Sequence, residues 1–376
     1  MKKNSTAAKK SQKTRTERVR VKKIASEQKL TIGMDLGDCS SHYCVLDENG
    51  EVISRSQVAT MPAGMKPVFG KMAPCLIVME VGTHSAWVSR LLASYGHEVI
   101  VANARRVKLI GQSQRKNDRV DAETLARLGR ADRKLLSPIQ HRGEEAQWDL
   151  AMIRARAEIV EARTAVMNCA RGLMKAMGER LPKRDVDGVE KTLSKGLSEA
   201  AQKVAKPLLK SVAAMTEQIH ACDQEIQRIA AKYPEVKLLQ QVNGVGPLIG
   251  LTFVLILEDP QRFKRSRDVG PYLGLVPAQR DSGKSQPQLR ISKSGDKLLR
   301  SLLVQGAHCI LRKGAPDSDL RQWGLEKQKE GGKKGKRRAI VGVARRLAVL
   351  LHHLWVSGEA YEPLYNQQRV QAKKAA

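Results

Sequence analysis

Two short apolar runs, each stopping at a carboxylate, constrain the fold of this chain more than any other feature. LTIGMDLG (30–37) brings Asp35 to the end of a run with β-branched residues, and CLIVME (75–80) does the same for Glu80. Runs this short read as buried strands. A charge at the end of a buried strand is costly unless it is paired or binds a cation. Between them, YCVLDENGEVISRSQV holds Asn49-Gly50 between two strand-like runs, which signals a hairpin. SAWVSRLLASYG (85–96) has helical periodicity, HEVIVANA (97–104) reads as a strand, and RKNDRVDAETLARLGRAD (115–132) as a helix. Three strands, then strand, helix, strand and helix predict a mixed α/β sheet with carboxylates at its strand ends.

From Glu144 to about Tyr233 the texture changes to alanine, leucine, methionine, arginine and glutamate. Two long helical patterns follow one another, the second interrupted at Pro207. They are too long to bury an apolar stripe within one helix, so they predict a dimerising coiled coil or a spacer. The alternative is a helical subdomain packed on its own chain. A third unit opens at Val236. Its Gly244-Val245-Gly246-Pro247 resembles the turn of a helix-hairpin-helix, where the amides of Gly244 and Gly246 can meet a phosphate. Tight helix packing is the competing explanation. KEGGKKGKRR (329–338) reads as a basic, glycine-rich loop before a final helix from Ala339 to Trp355. The expected class is therefore α/β plus α. A basic arm spans 1–29, a sheet domain 30–140, a helical coiled-coil segment 141–235, a mostly helical C-terminal domain 236–362 and a tail 363–376.

Charge narrows the partners. Lysine and arginine number 67 against 38 acids, a net charge of +29. A surplus that large repels itself unless a polyanion is present, and nucleic acid is the first candidate. An anionic membrane is the second, but runs such as Leu248 to Leu257 fall short of the ~20 residues a spanning helix needs. Aromatics at 3% argue against stacking platforms for single strands. Residues 1–29 carry 11 lysines and arginines against two glutamates, which suits either a solubilising tail or phosphate binding. No two of the six cysteines are spaced C-x-x-C, so they read as small buried hydrophobes in a reducing cytosol. No apolar segment follows the basic N-terminus, so no secretory signal is expected there.

Asp118 and Asp121, three apart on a predicted helix, share a face and repel each other. With Asp35 and Glu80 they make four oxygen donors, a set that suits magnesium or manganese. Two such ions can activate a nucleophile and stabilise a leaving oxygen at a phosphodiester. Taken singly, Asp35 could be a turn residue, Glu80 a helix N-terminal charge, and the two aspartates partners of Arg115 and Arg119. Their order and strand context favour the metal.

The pattern GMDLG…VMEVG…KNDRVDAETLA resembles the DEDD transposases of the insertion-sequence one-ten family. These are similar to the Piv DNA invertases and have an N-terminal domain like the RuvC resolvase. GVGPLIG, YLGLVPAQRDSGKS and RISKSGDKLLRSLLVQGA resemble that family's C-terminal transposase domain, so the likeness spans roughly 30–360. Asp38 stands where a lysine is common, and Pro287-Gln288-Leu289 replaces a more usual glycine-containing stretch. The resemblance implies a recombinase that cuts and rejoins element ends and target DNA. It also implies a structured bridge RNA as guide and a C-terminal serine that attacks DNA beside a carboxylate-bound metal. Catalytic positions would be Asp35, Glu80, Asp118, Asp121 and Ser282.

Ser282 lies in the polar turn Asp281-Ser282-Gly283-Lys284, where a glycine lets a backbone approach closely. Ser285 and Ser292 are the alternatives, and Ser292 could instead cap a helix. Arg280, Lys284, Arg290, Lys293, Lys297 and Arg300 crowd the segment and suit phosphate contacts. A cytoplasmic, nucleoid-associated enzyme, dimeric and tetrameric on DNA, is the expectation. The rivals are a RuvC-like junction endonuclease that uses metal and water, and a non-catalytic basic nucleic-acid-binding protein.

Overall fold

A computed structural model describes residues 29–103, 118–181, 197–282, 285–287 and 289–366. The basic arm up to residue 28 and the terminal residues 367–376 lie outside it. Two compact units follow one another, Met1–Arg142 and Gly143–Ala376.

The first unit is built on five strands: β1 (Thr31–Asp35), β2 (Ser40–Leu46), β3 (Val52–Ala59), β4 (Leu76–Glu80) and β5 (Glu98–Ala102). Their order across the sheet is β3-β2-β1-β4-β5. β1 pairs antiparallel with β2 and parallel with β4; β3 extends the antiparallel side and β5 the parallel side. The mixed sheet predicted from the apolar runs is present, in an arrangement consistent with an RNase H-like domain. The Asn49-Gly50 hairpin is built as a turn with a bulge. Gly50 N donates to Asp47 O (3.1 Å), Asp47 N donates to Glu51 O (3.0 Å), and Gly50 takes φ 85°. Asp47 Oδ1 secures the loop by accepting from the amides of Asn49 and Glu51. Only a residue tolerant of positive φ closes such a turn at low cost.

Strand alternation divides the core between two faces. Ile32, Met34, Val45, Ile77 and Met79 bury against Met65 and Phe69 of α1 (Pro62–Phe69) and Val88 and Leu92 of α2 (Ser85–Ser94). Helix α1 is absent from the sequence expectation. On the other face Cys44 and Leu46 meet Ala122 and Ala126 of α3 (Asp118–Ala131), and Val78 meets Leu125. Gly33 makes that contact possible: a Cβ there would lie 2.0 Å from the Ala122 carbonyl oxygen.

The second unit begins with two 33-residue helices, α4 (Glu144–Ala176) and α5 (Glu199–Ala231). Pro207 sits inside α5, which continues through it, contrary to the expected interruption. The pair is antiparallel. Arg156 forks onto the Asp223 carboxylate (2.6 and 3.2 Å), Arg163 donates to Thr216 Oγ1 (3.1 Å), and Lys232 reaches Glu145 (3.2 Å). Met167, Ala170 and Met174 bury against Ala201, Ala205, Leu209 and Val212. The two helices thus satisfy much of each other's apolar stripe within one chain. Trp148 and Leu173 of α4, Met177 at its C-cap and Val204 of α5 remain exposed.

The rest of the unit is helical: α6 (Pro234–Leu239), α7 (Pro247–Leu257), α8 (Val269–Tyr272), α9 (Lys297–Ile310), α10 (Asp319–Glu330) and α11 (Gly332–Ser357). Helix α7 is buried almost all round. The stretch 329–338 is not a loop. Helix α10 ends at Glu330, α11 begins at Gly332, and Gly331 alone joins them. Residues 335–357 are long and apolar enough to cross a membrane by length and composition, which the sequence expectation overlooked. Here Val343, Ala344, Leu347, Ala348 and Leu351 of that helix are fully buried in the core of the second unit.

The cysteines divide unevenly. Cys44 and Cys75 are buried and Cys222 is half-buried, but Cys39, Cys169 and Cys309 are exposed, against the expectation of six buried thiols.

Candidate active site and nucleic-acid interface

Asp35 and Glu80 end two neighbouring parallel strands. Met34 pairs with Met79, and the two acids follow one residue later on each strand. Parallel neighbours in register put both carboxylates at one end of the sheet, on the face that Gly33 and Val78 turn toward α3. Both residues are half-buried.

Helix α3 brings the other two acids to the same end. At its far end Arg130 donates to Glu48 O (2.7 Å) and Arg127 to Gly50 O (3.3 Å), beside the start of β1. Its N-terminal turn therefore lies where β1 and β4 finish. Ala122, Leu125 and Ala126 mark the sheet-facing stripe, with Asp118 one helical turn before Ala122 and Asp121 one turn before Leu125. Asp121 is exposed; the side chain of Asp118 lies outside the described residues. All four donors are carboxylates, which suits a hard divalent cation. Among the described residues no three such groups close round a common point as placed. The match to a metal is one of donor chemistry and of position on the fold.

A charged neighbour keeps the middle of α3 in place. Glu123 accepts from Arg55 of β3 and from Arg127 (2.8 and 2.9 Å). The Arg55 hydrogen bond, ahead of that from Arg127, holds the Glu123 carboxyl below the usual range.

Two features at this end went unread in the sequence. Trp87 Nε1 donates to His84 Nδ1 (3.1 Å), and His84 Nε2 lies 3.4 Å from Asp38 Oδ1. Indole N–H is only a donor, so Nδ1 must accept and the imidazole proton sits on Nε2. This contact joins the loop after Asp35 to the loop after Glu80. The His84/Trp87 spacing of three on one helical turn was the available signal. Beneath it, buried Ser85 Oγ donates to Gly82 O (2.7 Å) and lies 2.9 Å from His141 Nε2. Burial, then the charges of Arg90 and Arg142, lower the His141 pKa and favour the neutral ring.

In the second unit the serine segment is a projecting hairpin. Ala278 N donates to Arg290 O (2.9 Å) and Ser292 N to Val276 O (2.8 Å), which pairs its two arms. Its base is pinched shut. A Cβ on Gly274 would lie 2.3 Å from Ser294 O, and Lys293 is held at φ 55°. Near the tip Ser282 and Ser285 exchange backbone hydrogen bonds (3.1 and 2.9 Å), and both are exposed. No hydrogen bond reaches the Ser282 hydroxyl among the described residues. Ser292 Oγ lies 2.9 Å from Ser294 Oγ, and the cap of α9 is Asp296, not Ser292.

The predicted phosphate contacts separate into groups. Arg280, Arg290, Lys293 and Lys297 are exposed along the hairpin and at the start of α9. Arg300 is not: its Nη1 donates to Leu273 O, Ser294 O and Asp296 O (2.9, 2.9 and 3.3 Å) and ties down the hairpin base. Lys284 lies outside the described residues. Gly244 takes φ 84° and packs on α9, where a Cβ would come within 2.8 Å of Gly306 O, so tight helix packing accounts for it. Gly246 precedes α7 with open space around its Cα.

Comparison with known proteins matches two stretches of the chain. A family model described as Transposase matches residues 32–178, and one described as Transposase IS116/IS110/IS902 family matches residues 236–322. The chain is 29% identical to the transposase for insertion sequence element IS1111A of Coxiella burnetii, across 88% of this chain and 90% of that one. It is 27% identical to a probable family 20 transposase of Pseudomonas aeruginosa, across 78% and 88%. It is 26% identical to the transposase for insertion sequence element IS1328 of Yersinia enterocolitica, across 75% and 84%.

Proposed function

We propose that this chain is a DEDD transposase of the IS110 family, a reading that both family models and the relatives support, and that it cuts and rejoins DNA with a divalent cation and the Ser282 hydroxyl. The observation that supports this reading is the register of β1 and β4, which ends both strands on a carboxylate, Asp35 and Glu80, at one end of the sheet. The family implies use of a divalent metal; magnesium, or manganese in its place, held by Asp35, Glu80, Asp118 and Asp121, is our assignment. When bound, such an ion supplies Lewis-acid stabilisation of charge on phosphate oxygens.

Ser282 is offered to solvent at the tip of a clamped hairpin, and the exposed Arg280 and Arg290 lie on that hairpin to bind phosphate. Attack by Oγ forms a serine–phosphate ester as one strand P–O bond breaks. The hydroxyl proton passes to the departing deoxyribose oxygen. One phosphate ester replaces another, so the bond energy is retained and the reverse attack rejoins the strands. A serine hydroxyl is a weak nucleophile and needs a base or a metal to activate it.

We assign DNA as substrate and a structured RNA from the element's non-coding end as guide; the guide rests on the family resemblance. The working form is a homo-oligomer on DNA, in the cytoplasm at the nucleoid.

Strand cleavage tests the reading. Asp35→Asn, Glu80→Gln and Asp121→Asn are expected to abolish cleavage while binding persists, because an amide is a poor ligand for a hard cation. Excess manganese is expected to recover part of that activity and none of the activity lost in Ser282→Ala. Full cleavage by Ser282→Ala would transfer the attack to Ser292, Ser285 or a metal-bound water. Cleavage that is equally fast with no added RNA would remove the guide.

A further inference from the structure

Helix α11 contains seven lysines and arginines and no acid, and five of those cations fall in its first seven residues. Cations at a helix N-terminus oppose the macrodipole, and neighbours three or four apart repel. Helices ordinarily place acids there, yet α11 has none in its first turn. Lys336, Arg337 and Arg338 are exposed and make no ion pair among the described residues. The preceding acid, Glu330, is already paired with Lys327. Lys327 and Lys329 are exposed on the last turn of α10, beside the same corner.

The corner is rigid. A Cβ on Gly331 would lie 2.3 Å from Gly335 Cα, and one on Gly335 would lie 2.5 Å from Gln328 O. Helices α10 and α11 therefore meet backbone to backbone. The later part of α11 is anchored by Val343, Leu347 and Leu351, all fully buried. Backbone packing thus fixes the helical turn that carries Lys336, Arg337 and Arg338, and no ion pair among the described residues compensates them.

We propose that the α10–α11 corner is a second phosphodiester-backbone site, separate from the Ser282 hairpin, where Lys336, Arg337 and Arg338 bind backbone phosphates of a nucleic-acid duplex without reading sequence. It rests on the reading that this chain acts on nucleic acid, and it adds a surface which that reading leaves unused. Phosphates supply the missing negative charge both for the side chains and for the helix end.

The test uses the full-length protein carrying K336Q, R337Q and R338Q together. Glutamine keeps helix propensity. Affinity is measured against salt for two probes, a 30-base-pair DNA duplex of arbitrary sequence and an RNA hairpin of arbitrary sequence. Loss of three phosphate contacts is expected to lower the magnitude of the log–log salt slope by about 2 to 3 and to weaken binding at least tenfold. A loss on DNA alone assigns the corner to DNA, a loss on RNA alone to RNA, and a loss on both to either duplex. Unchanged slope and affinity on both probes would overturn the proposal. The triple variant K336R, R337K and R338K is expected to bind as the parent does, since only charge is used. Thermal melting of the free protein supplies an independent reading. Removing uncompensated cations is expected to raise the melting temperature, whereas loss of structural side chains lowers it; a fall would also count against the proposal. Cleavage loss in Ser282→Ala with binding intact would leave this result untouched, so the two readings fail separately.

Discussion

Gly33 shows how one residue sets the distance between sheet and helix. Its missing side chain lets Ala122 and Ala126 of α3 lie directly on β1. Gly33→Ala forces a methyl group to within 2.0 Å of a backbone oxygen, and a loss of roughly 1–3 kcal/mol in urea unfolding is expected, with weaker metal-dependent activity. Gly172, in the C-terminal part of α4 with open space where a Cβ would stand, makes the opposite case. Gly172→Ala is expected to gain about 0.5–1 kcal/mol from helix propensity alone. At this scale the sequence was most legible where chemistry and strand pattern agree. Asp35 and Glu80 announce themselves by ending apolar runs. His84 did not, because its partner Asp38 comes from a loop 46 residues earlier. Arg300 was misjudged because nothing in a run of cations says which one is consumed by carbonyl oxygens.

Elements followed their periodicity where that pattern was long. Helices α4 and α5 emerged nearly as their apolar stripes predicted, and Pro207 was absorbed because the packing on α4 outweighs one lost hydrogen bond. Punctuating residues misled elsewhere. Helix α1 contains two prolines and a glycine, yet Pro62 occupies the first turn, where no N–H is needed. The glycines of 331–335 looked like a loop, and they instead permit two backbones to touch. A link between elements also predicts a pH response. Glu123 ties α3 to β3 and its pKa is depressed, first by the Arg55 hydrogen bond. A depressed carboxyl contributes stability that is complete above its unfolded value, near ~4.3. That contribution disappears as pH falls through the lower folded value. Glu123→Gln is expected to cost about 1 kcal/mol at neutral pH and nothing at a pH below the folded value, as read from melting temperature across pH 2–7.

The whole molecule is a basic chain with a surplus of 29 charges that fold must tolerate and nucleic acid can compensate. Its affinity for duplex DNA is expected to fall steeply and linearly on a log–log plot against salt, and a flat plot would detach the charge from binding. Oligomeric state belongs to this scale too. Trp148 and Leu173 of α4, Met177 at its C-cap and Val204 of α5 stay exposed, which leaves this helical pair available to the proposed homo-oligomer, and mass in solution with and without DNA will show whether assembly needs the nucleic acid. The central claim concerns one covalent bond. Wild-type protein incubated with DNA of the element junction, guide RNA and magnesium, then run on a denaturing gel, is expected to show a slow-migrating protein–DNA species, absent from Ser282→Ala and present in Ser285→Ala and Ser292→Ala. An adduct that persists at full yield in Ser282→Ala, or cleaved DNA with no adduct in the wild type, would contradict the account.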